Sequence, residues 1–338
     1  MKKNLTIQFI TLLLTFIAIT ACQGQSTEKK MKAESKKNNP LICDIETGIC
    51  ETPVLQGTDT SQNNTPHKGE KLKMLYFTDP ICSSCWGIEP QLRKLKLEYG
   101  AQLDIVYVMG GLLPDWNYNS GGISKPSDVA HHWDEVSIHY DMPIDGDIWL
   151  EDPLSSSYPP SIAFKAAQLQ SKDVAVLFMR EMREMMFLHK KNLAKWEYIA
   201  TAAKAVGLNV EQLKADIDGQ AKTLFEADLK LAQSYGVRGF PTIYFIDTKG
   251  NKEMVYGSKP YALYEAAILT LNPACSKSEY SKNWETLFAA YPTLTAKEYS
   301  ILSGMPRVES EVFLNTLSDK GTLEKWTTKN GSIWMLKK

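Results

Sequence analysis

The sequence lacks an excess of charge of either sign: 38 Lys and Arg stand against 39 Asp and Glu, a net −1 over 338 residues. A chain so balanced has no long-range field with which to hold nucleic acid or to press its body onto an anionic membrane surface, so partners must be recognised locally. A long apolar run is also missing, because the stretch from Leu5 to Ala21 falls short of the roughly 20 apolar residues of a membrane-spanning helix. Metal-ligand spacing is absent too. No second pair of zinc-site spacing or nearby cysteine-histidine group supplies the remaining ligands beside Cys82 and Cys85, and His131, His132 and His139 have no supporting carboxylate pattern. These histidines read as surface or packing residues, and neither a metal nor another cofactor is expected. With 43% hydrophobic and 10% aromatic residues, the composition is neither fibrous nor broadly disordered.

What is present at the start is Met1-Lys2-Lys3 ahead of that short apolar run, the basic head and hydrophobic core of an export signal. The run ends Ile19-Thr20-Ala21-Cys22, which resembles the lipobox of bacterial lipoproteins. That resemblance implies cleavage before Cys22, lipidation of Cys22 and, with Gln23 rather than Asp next, an outer-membrane address. The plainer alternative is an ordinary secretory signal. Residues 1–22 are therefore expected to be a lipoprotein-type signal, and the chain to be exported, periplasmic and held to the membrane through a lipid anchor, where disulfides persist. Residues 23–69 are mostly polar, with Lys29, Lys30, Lys32, Lys36 and Lys37 around Glu28 and Glu34. Such a stretch cannot bury enough apolar surface to fold alone, and as a flexible tether it would span roughly 35–40 Å on average.

Residues 70–275 read as an α/β domain. Leu72 to Phe77 is a short apolar run closed by Thr78-Asp79-Pro80, a buried strand; a helix with Trp86, Ile88, Leu92, Leu95 and Leu97 follows, then a strand from Leu103 to Met109. Strand, helix, strand implies a parallel pair with a right-handed crossover. Between about 127 and 235 the pattern is helical, with segments from Ser161 to Gln170, Asp173 to Phe187, Trp196 to Val206 and Glu211 to Tyr235. Thr242 to Ile246 and Lys252 to Tyr256 then flank a turn-rich loop and predict an antiparallel hairpin, followed by a helix from Pro260 to Leu271.

Cys82-Ser83-Ser84-Cys85 stands where the first helix begins. Helix N-termini offer unpaired amides and a partial positive charge that stabilise a thiolate. Cys82 is thus the candidate nucleophile, and Cys85, one turn on, the candidate resolving thiol that attacks the mixed disulfide. A half zinc site or a structural staple has the same spacing, but the remaining ligands of a zinc site are missing and the strand-helix setting fits redox chemistry. Ser83, Ser84 and Trp86 are the supporting neighbours, and Pro90, five residues after Cys85, is expected to kink the helix. Val237 to Thr242 contains Phe240-Pro241 just before a strand. A cis Phe240-Pro241 bond there would let Phe240 offer its backbone to an extended substrate by strand addition, the plain alternative being a strand-entry proline.

Asp79-Pro80-Ile81-Cys82-Ser83-Ser84-Cys85-Trp86-Gly87, Gly110-Gly111-Leu112 and Tyr158-Pro159-Pro160-Ser161 together resemble the DsbA-like protein-disulfide isomerase family, over about Lys71 to Asn272. The resemblance implies a thioredoxin-like fold split by a helical insertion, with the cis-proline loop set against the cysteine pair. It also implies thiol-disulfide exchange on exported proteins, with a redox partner protein. Oxidase, reductase and isomerase all stay open, because Ser83-Ser84 matches neither the thioredoxin nor the DsbA dipeptide. A second function class stays open too: some DsbA-like proteins with C-terminal extensions resemble adaptors that deliver clients to a protease, their cysteines dispensable or regulatory.

Cys43 and Cys50 bracket a short island in the tether, and read either as a local disulfide staple or as a second redox pair serving Cys82 and Cys85. Cys275 is left over as a free thiol, an intermolecular link or an alternative partner. Arg180, Glu181, Arg183 and Glu184 read as a solvated helix face of alternating charge. Residues 276–338 predict a winged-helix-like α+β module: an amphipathic stretch from Tyr280 to Tyr291, a capping box at Thr295-Ala296-Lys297-Glu298, a helix from Pro306 closed at Gly321, and a hairpin around Asn330-Gly331 with Trp326 and Trp334 as core candidates. Its would-be recognition helix carries Glu309, Glu311 and Asp319 against Arg307 and Lys320, so the module reads as a packing or partner-binding unit, not a nucleic-acid reader.

Overall fold

The computed structural model describes residues 71–118 and 125–337, together with Ile45, Gly48 and the two-residue strand β1 (Cys50–Glu51). The lipobox with Cys22, and the pairing of Cys43 with Cys50, lie outside the described residues.

β2 (Leu72–Thr78) buries every residue except Lys73 because it lies inside the sheet, with β3 (Leu103–Met109) parallel on one side and β5 (Thr242–Ile246) antiparallel on the other. β6 (Lys252–Tyr256) closes the far edge, giving the order β3-β2-β5-β6. A strand covered on both faces has no reason to alternate, which is why its sequence is a continuous apolar run. Seven helices between Ser127 and Ser234 interrupt this sheet, and helix Tyr261–Leu271 follows it. The chain thus has a thioredoxin-like α/β fold with a helical insertion. The single helix expected from Glu211 to Tyr235 is two, Val210–Asp218 and Gln220–Ser234. Gly219 separates them at φ −117°, ψ −115°, where the poorest helix former but proline leaves the helical region.

The helix that carries the cysteine pair is also interrupted. It is two helices, Ser83–Gly87 and Glu89–Tyr99, joined at Ile88, with Pro90 in the first turn of the second. Pro90 therefore sits where its missing N–H costs nothing, and the bend expected of it falls at Ile88, two residues before it.

The C-terminal residues run helix Trp284–Ala290, β7 (Thr293–Thr295), helices Ala296–Ser303 and Arg307–Asp319, β8 (Leu323–Thr328) and β9 (Gly331–Leu336). The sheet order is β7-β9-β8, a winged-helix-like arrangement around Leu287, Phe288, Leu294, Leu302, Leu314 and Trp334. The capping box forms as read: Thr295 Oγ1 accepts from the Glu298 amide and Glu298 accepts from the Thr295 amide. Two details differ. β7, three residues long, is too short to show a period, and the hairpin turns on Lys329-Asn330, with Gly331 already paired to Thr328. Trp334 is core, but Trp326 is half exposed; its indole N–H donates to the Leu188 carbonyl and its ring lies 4.5 Å from that of His189.

Helix Ala296–Ser303 packs on helix Glu89–Tyr99, and their interface overturns the solvated face expected around Arg180. Arg183 is fully buried and Glu184 nearly so. Arg180 donates to both oxygens of the fully buried Glu298, at 2.8 and 3.1 Å, and also pairs with Glu184. Arg93 reaches the same Glu298 carboxylate at 3.2 Å, and Arg183 pairs with Glu89. Three guanidiniums thus meet three carboxylates out of water, an arrangement that alternating charge on one helix does not reveal because half the partners come from elsewhere.

Candidate functional site

Cys82 occupies the N-cap of helix Ser83–Gly87, and its Sγ accepts the Cys85 amide at 3.1 Å. The two cysteines form a disulfide with their Cα atoms 5.1 Å apart, and both side chains are fully buried. Ser83 and Ser84 are buried between them, and Ser84 Oγ accepts from the Tyr140 hydroxyl at 3.0 Å. Trp86 donates its indole N–H to the Pro143 carbonyl, stacks on Phe187 and carries the Arg180 guanidinium 4.3 Å above its ring. A chain of contacts therefore runs from the residue after Cys85, through Arg180, to Glu298 of the C-terminal module.

The Phe240–Pro241 bond is cis, as the loop reading expected. Pro241 offers its carbonyl to the Gly257 amide at 2.8 Å. Phe240 is fully buried and the tip of its ring abuts Gly110, where a Cβ would stand 1.7 Å from the ring's Cζ. That close approach explains the glycine at 110: any side chain would displace the residue that leads into the cis bond. Gly239 and Phe240 form strand β4 (Gly239–Phe240), which pairs antiparallel with β1, Cys50 opposite Phe240 and Glu51 opposite Gly239. The edge expected to take an extended partner thus carries a strand from the segment read as tether. Two residues of that segment are strand because unpaired backbone groups at β4 supply what the local sequence does not.

Two residues of the site escaped the sequence reading as functional groups. Asp79 is fully buried and its carboxylate accepts from the Ile81 amide at 3.0 Å, the Leu112 amide at 2.8 Å and the Ser157 hydroxyl at 2.9 Å, while its carbonyl accepts the Cys82 amide. Burial pushes its pKa up to about 6 despite those donors. The available signal was a carboxylate at the end of a strand with no exposed face left to it. Arg183 is the other: it donates to Thr78 Oγ1 at 2.8 Å and to the Asp79 carbonyl at 3.3 Å, and its role surfaces only when helix Lys172–Phe187 is placed against β2.

The remaining candidates stand apart. Among the described residues Cys275 is a buried thiol outside any disulfide, its pKa raised by burial. His131 and His132 lie beside Glu135, His139 packs on Tyr140, and no metal-binding cluster occurs among the described residues.

A family model described as thioredoxin matches residues 75–266. The ClpXP adapter protein SpxH of Halalkalibacterium halodurans is 33% identical over 304 residues, covering 88% of this chain and 97% of the relative. The SpxH protein of Bacillus subtilis is 29% identical over 273 residues, covering 79% and 90%. A crystal structure from Nitrosomonas europaea, provisionally described as a protein disulfide isomerase, superposes with a TM-score of 0.52 at 21% identity over 60% of this chain and 97% of its own.

Proposed function

Because the chain belongs to the thioredoxin family, and shares it with relatives named as adapters, we propose that it is a client-binding adaptor. It holds an extended segment of a protein partner on the Gly239–Phe240 edge beside the cysteine pair and presents that partner to a second protein. The observation that carries this reading is the antiparallel pairing at β4: the edge accepts a strand from outside the main sheet, the backbone chemistry by which extended polypeptide is held. Two facts support it. The likeness to the H. halodurans relative spans 88% of the chain and so extends beyond the 75–266 thioredoxin match. Cys82 and Cys85 are fully buried in this state, which suits holding a client better than rapid exchange with one.

The test uses carboxymethylated α-lactalbumin, an unfolded polypeptide without free thiols. A photo-cross-linking side chain placed at exposed Arg238, next to β4, should trap it; the same group at exposed Lys222, near the other end of helix Gln220–Ser234, should not. Equal trapping at both positions would remove the support for a strand-accepting site.

A second reading, thiol-disulfide exchange, is favoured by the N-cap position of Cys82. A client thiolate attacks Cys82 Sγ, the client–Cys82 disulfide forms and Cys85 leaves as the thiolate. A second client thiolate then releases the client disulfide and leaves the pair reduced; the reverse order reduces a client. Insulin reduction by the wild-type chain, abolished in Cys82→Ala, is the result this reading requires.

The location we propose is the exported, lipid-anchored one read from Met1 to Cys22, and the receiving protein is then exported as well, so the ClpXP of the relatives' names is not carried over. Incorporation of labelled palmitate, lost on Cys22→Ala, is expected; equal labelling of both chains counts against it.

A further inference from the structure

The segment seated at β4 also shows what the site selects. Three described points hold it. Ile45 packs against the main core, Gly48 is buried with its carbonyl accepting the Ser258 amide at 3.1 Å, and Cys50–Glu51 pair with Gly239–Phe240. Gly48 is the tight point. Its φ is +68°, and a Cβ there would lie 2.4 Å from Ser258 Cβ, 2.7 Å from Ser258 N and 2.9 Å from the Tyr140 hydroxyl. Backbone and a packed phenol cannot step aside as a flexible side chain can, and only glycine adopts this conformation without penalty. The same Tyr140 hydroxyl donates to Ser84 Oγ, between the two cysteines, so the glycine position is coupled directly to the redox loop.

We infer that the groove formed by Gly239–Phe240, Ser258 and Tyr140 is a peptide site selective for segments that place a glycine in the left-handed conformation two residues before the residue paired with Phe240, and that the chain's own Gly48 and Cys50–Glu51 occupy it as an intramolecular competitor. The inference rests on the client-binding reading in treating this groove as a site for partners. It adds a sequence requirement and a built-in rival: a client enters only by displacing β1, so a partner lacking the glycine competes poorly even when unfolded. Because the rival is tethered, its effective concentration is high while its own affinity stays modest, which leaves the site closed at rest yet open to a better-fitting strand.

The experiment uses the full chain, wild type and Gly48→Val, with a synthetic peptide of the sequence from Ile45 to Glu51 and a second peptide carrying valine in place of its glycine. In the wild type the Ser258 amide should exchange slowly with solvent, and in Gly48→Val at least tenfold faster, with thermal unfolding of the body unchanged. The glycine peptide should bind Gly48→Val at least tenfold more tightly than it binds wild type, and the valine peptide should bind neither. Equal Ser258 exchange in the two chains overturns the occupancy, and equal binding of the two peptides overturns the glycine selection. If both peptides behave as expected while carboxymethylated lactalbumin is never trapped at Arg238, the adaptor reading fails and the self-occupied site stands.

Discussion

Asp79 and Glu298 are both buried carboxyls, and their surroundings push them in opposite directions. Around Asp79 the donors are neutral amides and a hydroxyl, so burial wins and the pKa rises to about 6. For Glu298 burial also opposes the charge, but the Arg180 and Arg93 guanidiniums outweigh it and hold the carboxyl below its ordinary value. The consequences for stability have opposite signs. The folded state binds the Asp79 proton more tightly than the unfolded state, where the group titrates near 4, so between about pH 4 and 6 stability falls as pH rises, by up to about 3 kcal/mol. Urea unfolding at a series of pH values should show that decline in the wild type and lose it in Asp79→Asn; an unchanged slope in the variant would assign the effect to another group. Glu298→Gln leaves two buried guanidiniums short of a counter-charge and should cost on the order of 3–5 kcal/mol, a large part of a typical domain's stability. It should also change Trp86 fluorescence, since Arg180 lies over that ring; a stability loss below about 1 kcal/mol would mean that water relieves the site.

Between residues and the whole lie the elements, and there the caps were more legible than the breaks. The capping box at Thr295 and Glu298 was readable because it is a local exchange of hydrogen bonds between residues three apart. Thr295→Ala should therefore lower stability by about 1 kcal/mol in thermal or urea unfolding, while an effect within error would mean the helix needs no cap. Pro90 opens the second helix just after the bend at Ile88. Pro90→Ala should accordingly change stability by well under the roughly 3 kcal/mol that a proline inside a helix costs, which calorimetry can decide. The break at Gly219 stays hidden because apolar periodicity runs through it, and β1, β4 and β7 because two or three residues show no period. The long strands, the hairpin of β5 and β6 and the helical insertion carry enough residues to announce themselves.

At the scale of the whole molecule, what the sequence concealed is mainly contact between distant parts. Cys82, Cys85 and the Phe240-Pro241 loop were legible as chemistry, since each is a local motif with a physical task. The strand delivered from residues 50–51 to the loop, and the buried charges that join the C-terminal module to Trp86, depend on pairings across the chain that no window contains. They tie distant parts to the site: the module reaches Trp86 behind the cysteines through Arg180 and Glu298, and Cys50–Glu51 pair with the strand that leads into the cis bond. A client-binding protein built this way should not need its sulfurs to hold a partner. The direct test is the affinity of the full chain for carboxymethylated α-lactalbumin, measured by titration calorimetry for wild type and for Cys82→Ser with Cys85→Ser. Dissociation constants within about twofold of each other are expected, whereas loss of binding in the cysteine-free chain would contradict the adaptor reading and return the site to thiol chemistry.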